Sequence, residues 1–126
     1  MNITANEMRK LTATAIENSN EASTPEWKFI DIFVQTQIEN AAKCGKLSIE
    51  FEVDELSNEY AEKVIAATKF KKNSKGYNKQ FDKLVNEFEY LLNNYYTQYL
   101  LARGFLIETS YNTMSINWSM ESLSTI

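Results

Sequence analysis

The spacing of apolar residues predicts one long helix in the last third of the chain. Between Phe81 and Gly104, apolar side chains recur in steps of three and four, which places them on one stripe of a helix. The stripe contains Phe81, Leu84, Val85, Phe88, Leu91, Leu92, Tyr95, Tyr99 and Leu100. We expect Asn78 to cap this helix and Gly104 to end it, because glycine tolerates the left-handed conformation that often follows a helix. The rest of the chain must cover this stripe.

Two helices are predicted before residue 45. Residues 4–7 have the Thr-x-x-Glu pattern of a capping box, so the first helix should run from there to about Asn18. Thr24 followed by Pro25 is a favoured helix start, and helical spacing of apolar residues then continues to Cys44.

The first helix has a narrow apolar stripe that includes Met8 and Leu11. Two interpretations remain open for it. The favoured one is that residues 1–20 pack on their own domain. The alternative is an arm that packs on a neighbouring subunit, in which case Met8 and Leu11 are interface residues.

Three segments alternate between apolar and polar residues, as half-buried strands do. They are residues 46–53, 105–109 and 114–119. The last two flank a turn-rich segment and are predicted to form a hairpin. A sheet with one polar face is most often antiparallel, so we expect a small antiparallel sheet.

A third helix is predicted between the first strand and the long helix, capped by Asp54 or Ser57 and ending near Phe70. The element order is then α-α-β-α-α-β-β. The predicted fold class is α+β, with four helices packed on one face of about three strands. The length of 126 residues favours a single domain, 1–126, in which residues 120–126 are a tail.

Composition argues against most enzyme classes. The chain has no histidine and one cysteine, which removes Ser-His-Asp and Cys-His catalysis, histidine-ligated metal sites and any intramolecular disulfide. Glu50, Glu52 and Asp54, with Glu108 nearby, are candidate oxygen ligands for Mg²⁺ or Ca²⁺. The favoured interpretation is a solvated sheet face whose acids discourage edge pairing. We therefore expect no enzyme activity, no cofactor and no metal site.

A basic segment follows the third helix. Its lysines surround two aromatic residues, Phe70 and Tyr77; they are Lys69, Lys71, Lys72, Lys75 and Lys79. Basic charge interleaved with aromatic rings is typical of surfaces that hold single-stranded nucleic acid, and a phosphate group or an acidic partner is a further option. The net charge of −4 opposes general polyanion binding. We therefore favour a solvated connection whose lysines suit a helix C-terminus.

The long helix is rich in tyrosine. Regular helical spacing places Tyr95 and Tyr99 on the core stripe and leaves Tyr90 and Tyr96 off it. With Trp118, Tyr90 and Tyr96 are candidates for an exposed aromatic contact surface, since tyrosine and tryptophan are common interface anchors. The alternative, equally favoured, is that these rings complete a core that has helices on more than one side.

Four short pieces of the chain resemble a known group of proteins. They are TANEMRKLT in the first helix, AAKCGK leading into LSIEFEV, ARGFLIE after the long helix and SINWS in the last strand. In these pieces the chain is similar to small uncharacterised α+β proteins encoded in phage and prophage genomes. The resemblance implies no catalytic residue and no cofactor. It implies a viral accessory or virion-associated protein.

The preferred function is a non-enzymatic interaction protein of phage type that acts through protein–protein contacts, as a homo-oligomer or in a viral assembly. The alternative is a small nucleic-acid or phosphate-binding module that uses residues 69–79. No apolar run reaches the length of a membrane span, and the N-terminus lacks the pattern of a secretion signal. We therefore expect no membrane partner, and the resemblance implies a location in the host cytoplasm or the virion.

Overall fold

The computed structural model describes residues 4–119, which form helices and a three-stranded antiparallel sheet. The elements are α1 (Ala5–Glu17), a 3₁₀ turn (Glu21–Ser23), α2 (Pro25–Lys43), β1 (Ser48–Glu52), α3 (Val53–Ala66), α4 (Lys75–Leu91), a π turn (Leu92–Tyr96), α5 (Thr97–Ala102), β2 (Leu106–Ser110) and β3 (Thr113–Asn117). Since α4, the π turn and α5 are continuous, they form the predicted long helix. The predicted α+β class, helix order and strand number are confirmed. The predicted tail, residues 120–126, lies outside the described part.

The sheet has the order β1-β3-β2, so the last strand of the chain is its centre. Ile116 of β3 lies between Ile49 of β1 and Ile107 of β2, and all three point to the helical side. The hairpin prediction is confirmed, and β1 joins the hairpin at β3. One face of the sheet is therefore apolar and the other polar, as the alternation indicates.

The apolar face of the sheet packs on α2 and on the end of the long helix. Phe33 of α2 meets Phe51 of β1 with ring centroids 5.5 Å apart. Deeper in the core, the Trp27 ring lies 4.9 Å from Tyr96 and 5.3 Å from Tyr99. The aromatic residues thus join α2 to the long helix over much of its length.

Helix α1 lies against α5 of the same chain. Thr4 and Glu7 form the expected capping box. Ala13 is buried, and the Tyr99 hydroxyl donates to Glu17 Oε1 at 2.8 Å. Within residues 4–119, no helix combines the length and the apolar composition that a membrane crossing requires.

The start of α3 differs from the prediction that Asp54 or Ser57 caps it. The helix begins at Val53, directly after β1, and its first amides are bound by the β2–β3 turn. Val53 N–H donates to the Asn112 carbonyl at 2.7 Å, and Asp54 N–H donates to Asn112 Oδ1 at 2.8 Å. Because a residue from the hairpin caps the helix, no local capping residue is needed.

The connection between α3 and α4 lies about four residues earlier in the chain than predicted. Helix α3 ends at Ala66, not near Phe70, and α4 begins at Lys75. Ser74 is the cap, since its Oγ accepts a hydrogen bond from Tyr77 N–H at 3.2 Å; the prediction of Asn78 was wrong.

The π turn changes which tyrosines of the long helix are buried. A π turn contains more residues than an α-helical turn, so each residue advances less around the helix axis. Tyr96 therefore moves to the centre of the buried stripe and Tyr95 moves to its edge. Tyr96 is 0% exposed, so it cannot be an interface residue on the surface and instead fits the alternative in which it completes the core; Tyr95 is half-buried.

Candidate functional site

A groove lined by aromatic residues lies beside the last turn of α4. Tyr90 is 60% exposed, and its ring centroid lies 5.9 Å from that of Tyr95 at an interplanar angle of 63°. Leu91 lies in the same groove, which has a volume of about 440 Å³. We call this surface, together with the carboxylates that border it, the aromatic groove. It holds one of the predicted interface residues, Tyr90.

Among residues 4–119, three acidic residues line the aromatic groove and no basic residue does. They are Glu21 from the 3₁₀ turn, Glu26 from the first turn of α2 and Glu87 from α4. Their charge is felt by neighbouring hydroxyls. The adjacent Tyr90 hydroxyl raises the pKa of Tyr95, and the Glu21 carboxylate adds to the rise. The groove therefore combines an apolar floor with negative potential.

At the other end of α4 lies a basic surface, the lysine tip, made of residues 69–79. It contains five lysines and no acidic residue, for a net charge of +5, whereas the rest of the chain carries −9. All five lysines are exposed, and none forms an ion pair within residues 4–119. The predicted basic residues thus lie on the connection between α3 and α4 and on the first two turns of α4.

The two aromatic residues of the lysine tip differ in solvent exposure and in packing. Phe70 is 46% exposed and packs on Gly76, where a Cβ would lie 2.9 Å from Phe70 Cε1. Tyr77 is half-buried and stacks on Phe81 with an interplanar angle of 17°. A cleft of about 390 Å³ separates the Phe70 region from the end of α3 and also contacts Lys72. Phe70 is thus the accessible apolar group among these lysines.

The remaining predicted interface residues lie elsewhere. Met8 is 39% exposed and shares a shallow groove with Leu101, which is 45% exposed; Leu11 is 63% exposed on the same helix as Met8. Trp118 is half-buried at the end of β3, with its ring 6.3 Å from Phe105. The structure does not gather Met8, Tyr90 and Trp118 into one surface.

The acidic residues of the sheet are dispersed. Glu50 and Glu108 lie on the polar face on either side of Ser115. Asp54 belongs to α3 instead of the strand, and Asn112 Nδ2 donates to its carboxylate. Within residues 4–119, no group of three or more histidine, cysteine, aspartate or glutamate side chains is placed to hold a metal ion.

Sequence reasoning missed a polar cleft of about 470 Å³ between the hairpin and the long helix. Burial raises the pKa of Glu89 in this cleft, and the Asp54 carboxylate adds to the rise. Asn93 and Thr97 of the long helix and Thr109 of β2 complete much of the wall. The cleft depends on contacts between distant elements, so local periodicity carries no signal for it. The acidic border of the aromatic groove was missed for the same reason.

Comparison with protein-family models, with curated proteins and with solved structures finds no match to this chain.

Proposed function

We propose that the chain is a non-enzymatic interaction protein that acts through protein–protein contacts made by the aromatic groove. The observation that carries this proposal is the exposed Tyr90 ring beside Tyr95 and Leu91 in a groove bordered by carboxylates. Tyrosine buries a large area with few rotatable bonds, and it is enriched among residues that dominate binding energy. The absence of histidine from the sequence supports the non-enzymatic part.

The chemistry of the groove defines the kind of partner. Its floor favours an apolar or aromatic side chain, and Glu21, Glu26 and Glu87 favour lysine or arginine on either side of that group. The expected partner surface is therefore a protein segment with an apolar anchor and flanking positive charge. An acidic or nucleic-acid ligand is disfavoured here by charge repulsion.

The biological setting rests on the resemblance to phage and prophage proteins. On that basis we propose an accessory or virion-associated protein that acts in the host cytoplasm or in the virion. Its partner is a protein, either a second copy of the chain or another component of a viral assembly.

Photo-crosslinking tests the proposed function. A photoreactive phenylalanine analogue is placed at position 90 and irradiated in the cells that produce the chain. It should form a covalent adduct with a protein. Position 111 is a matched control, since Tyr111 is also an exposed tyrosine but lies in the hairpin turn. Absence of a protein adduct at position 90, or equal adducts at both positions, would contradict the proposal.

A second candidate function is binding of single-stranded nucleic acid or phosphate by the lysine tip. It is favoured by one observation, the charge of +5 within residues 69–79 around the exposed Phe70. Binding would be measured by fluorescence anisotropy of a labelled oligonucleotide at about 50 and about 200 mM salt, since phosphate contacts weaken steeply with salt. Lys71→Glu with Lys72→Glu should abolish binding, whereas Lys43→Glu with Lys46→Glu should not. Absence of binding at low salt would exclude this function.

A further inference from the structure

The lysine tip and the aromatic groove are complementary in both charge and apolar character. The lysine tip presents Phe70 between Lys69 on one side and Lys71 and Lys72 on the other. The aromatic groove presents the exposed Tyr90 ring, beside the half-buried Tyr95 and the buried Leu91, between three carboxylates. One surface of the chain thus has the features that the other surface requires of a partner.

The two surfaces cannot meet within one molecule. Helix α4 begins at Lys75 in the lysine tip and reaches Tyr90 in the aromatic groove fifteen residues later. At the rise of an α-helix, these positions are about 22 Å apart along one rigid rod. Any contact between the tip and the groove must therefore involve two copies of the chain.

We propose that the lysine tip of one copy docks into the aromatic groove of a second copy. This inference rests on the proposed function and names its partner. Phe70 packs against Tyr90 and Tyr95, and the neighbouring lysines face Glu21 and Glu87 across the interface. Because two different surfaces meet, the contact is head-to-tail: one copy of the pair keeps its groove free and the other keeps its tip free. Such a contact builds rings or open filaments.

The packing of the lysine tip favours a protein partner over nucleic acid. Base binding needs aromatic faces that are open to stacking. The Tyr77 ring is half-buried and already stacked on Phe81, so the lysine tip offers the Phe70 ring alone, whereas single-stranded nucleic acid is held by successive rings. The charge of −9 on the rest of the chain also repels a polyanion, whereas it attracts the tip of another copy.

Sedimentation velocity of the full chain over a series of concentrations tests the inference. We expect the weight-average mass to exceed 14.6 kDa and to rise with protein concentration. Raising the salt concentration should reverse the association, because exposed ion pairs are screened.

A pair of variants tests the head-to-tail arrangement. The tip variant carries Phe70→Ala and Lys71→Gln, and the groove variant carries Tyr90→Ala and Glu21→Gln, so that the two altered surfaces do not attract each other. Each should remain a monomer alone. Mixed in equal amounts they should form a dimer of twice 14.6 kDa and nothing larger, because each supplies the surface that the other lacks. A control with Tyr111→Ala and Lys46→Glu changes the same residue types elsewhere and should associate like the wild type.

Three results would overturn the inference: a wild-type chain that stays monomeric at every concentration, mixed variants that stay monomeric, or a control that loses association. If a variant does not fold, the adduct at position 90 decides instead. An adduct of twice the chain mass whose linked peptide contains residues 69–79 supports the inference. An adduct with another protein leaves the proposed function standing and rejects this partner, whereas absence of any protein adduct rejects both.

Discussion

Removing the hydroxyl of Tyr96 should destabilise the fold measurably. Tyr96 is 0% exposed, and its hydroxyl donates to Asp31 Oδ1 at 2.7 Å while Gln35 Nε2 approaches it at 3.4 Å. Burial, followed by the contact with Asp31, raises the pKa of this hydroxyl, so it is the neutral donor throughout the normal pH range. Tyr96→Phe keeps the ring and removes only this hydrogen bond.

The expected magnitude follows from the partner's charge and exposure. A hydrogen bond to a charged group contributes about 1.5–3 kcal/mol. Asp31 is half-buried and Gln35 Nε2 also lies 3.4 Å from Asp31 Oδ1, so its carboxylate keeps other partners and the lower part of that range applies. We expect Tyr96→Phe to lower the free energy of unfolding by about 1.5–2 kcal/mol. With a urea m value of about 2 kcal/mol/M, the midpoint falls by about 0.75–1 M.

Urea unfolding followed by circular dichroism measures this effect. Tyr90→Phe is the matched control, because it removes the hydroxyl of a tyrosine that is 60% exposed, and its cost should stay within about 0.5 kcal/mol. Combining Tyr96→Phe with Asp31→Ala should show a coupling energy, since the two side chains share one interaction. Equal losses for Tyr96→Phe and Tyr90→Phe would refute the reasoning.

Other predictions concern pH and glycine positions. Burial and the nearby carboxylates raise the pKa of Tyr60 and of Tyr99 to about 12 in the fold, so the unfolded chain, whose tyrosines ionise near 10, releases these protons first. The free energy of unfolding should therefore fall between pH of about 10 and about 12, and Tyr60→Phe should reduce this slope in urea titrations; an unchanged slope would contradict the assignment. Gly104 has φ +96° and a Cβ added there would meet no atom within 4 Å, so Gly104→Ala should cost about 1–2 kcal/mol through the backbone alone, with a smaller loss for Gly104→Asn. A Cβ at Gly76 would meet the Phe70 ring, so the effect of Gly76→Ala should depend on that ring. The change in the free energy of unfolding on Gly76→Ala should be more stabilising by about 0.5–1 kcal/mol in a Phe70→Ala background than in the wild type. Equal changes in the two backgrounds would rule out the contact.

Local signals in the sequence were sufficient to predict the helices and strands whose ends are marked by neighbouring residues. The capping box at Thr4 and the Thr24-Pro25 start are found as expected. The alternating strands and the hairpin are also found, because one polar face and a turn are encoded by neighbouring residues. The position of β1 beside β3 was not decided by the sequence, since pairing across some 65 residues leaves no local mark.

The errors arose where distant parts of the chain complete a local structure. Val53 continues the alternation of β1, yet it begins α3 because Asn112 binds the first amides of that helix. Tyr96 fell off the predicted stripe because regular spacing assumes α-helical geometry throughout, and the π turn breaks that assumption. The basic residues were recognised from the sequence as a cluster. The three carboxylates of the aromatic groove come from three separate elements, so they are recognised only in the fold.

The cap supplied by Asn112 makes the order of folding events partly predictable. The residue that completes the first turn of α3 lies 58 positions further along the chain. That turn must therefore wait for the C-terminal hairpin to arrive, whereas the rest of α3 and α4 can pair early as sequence neighbours. In hydrogen exchange, the amides of Val53 and Asp54 should open together with β2 and β3, and not with the helix to which they belong.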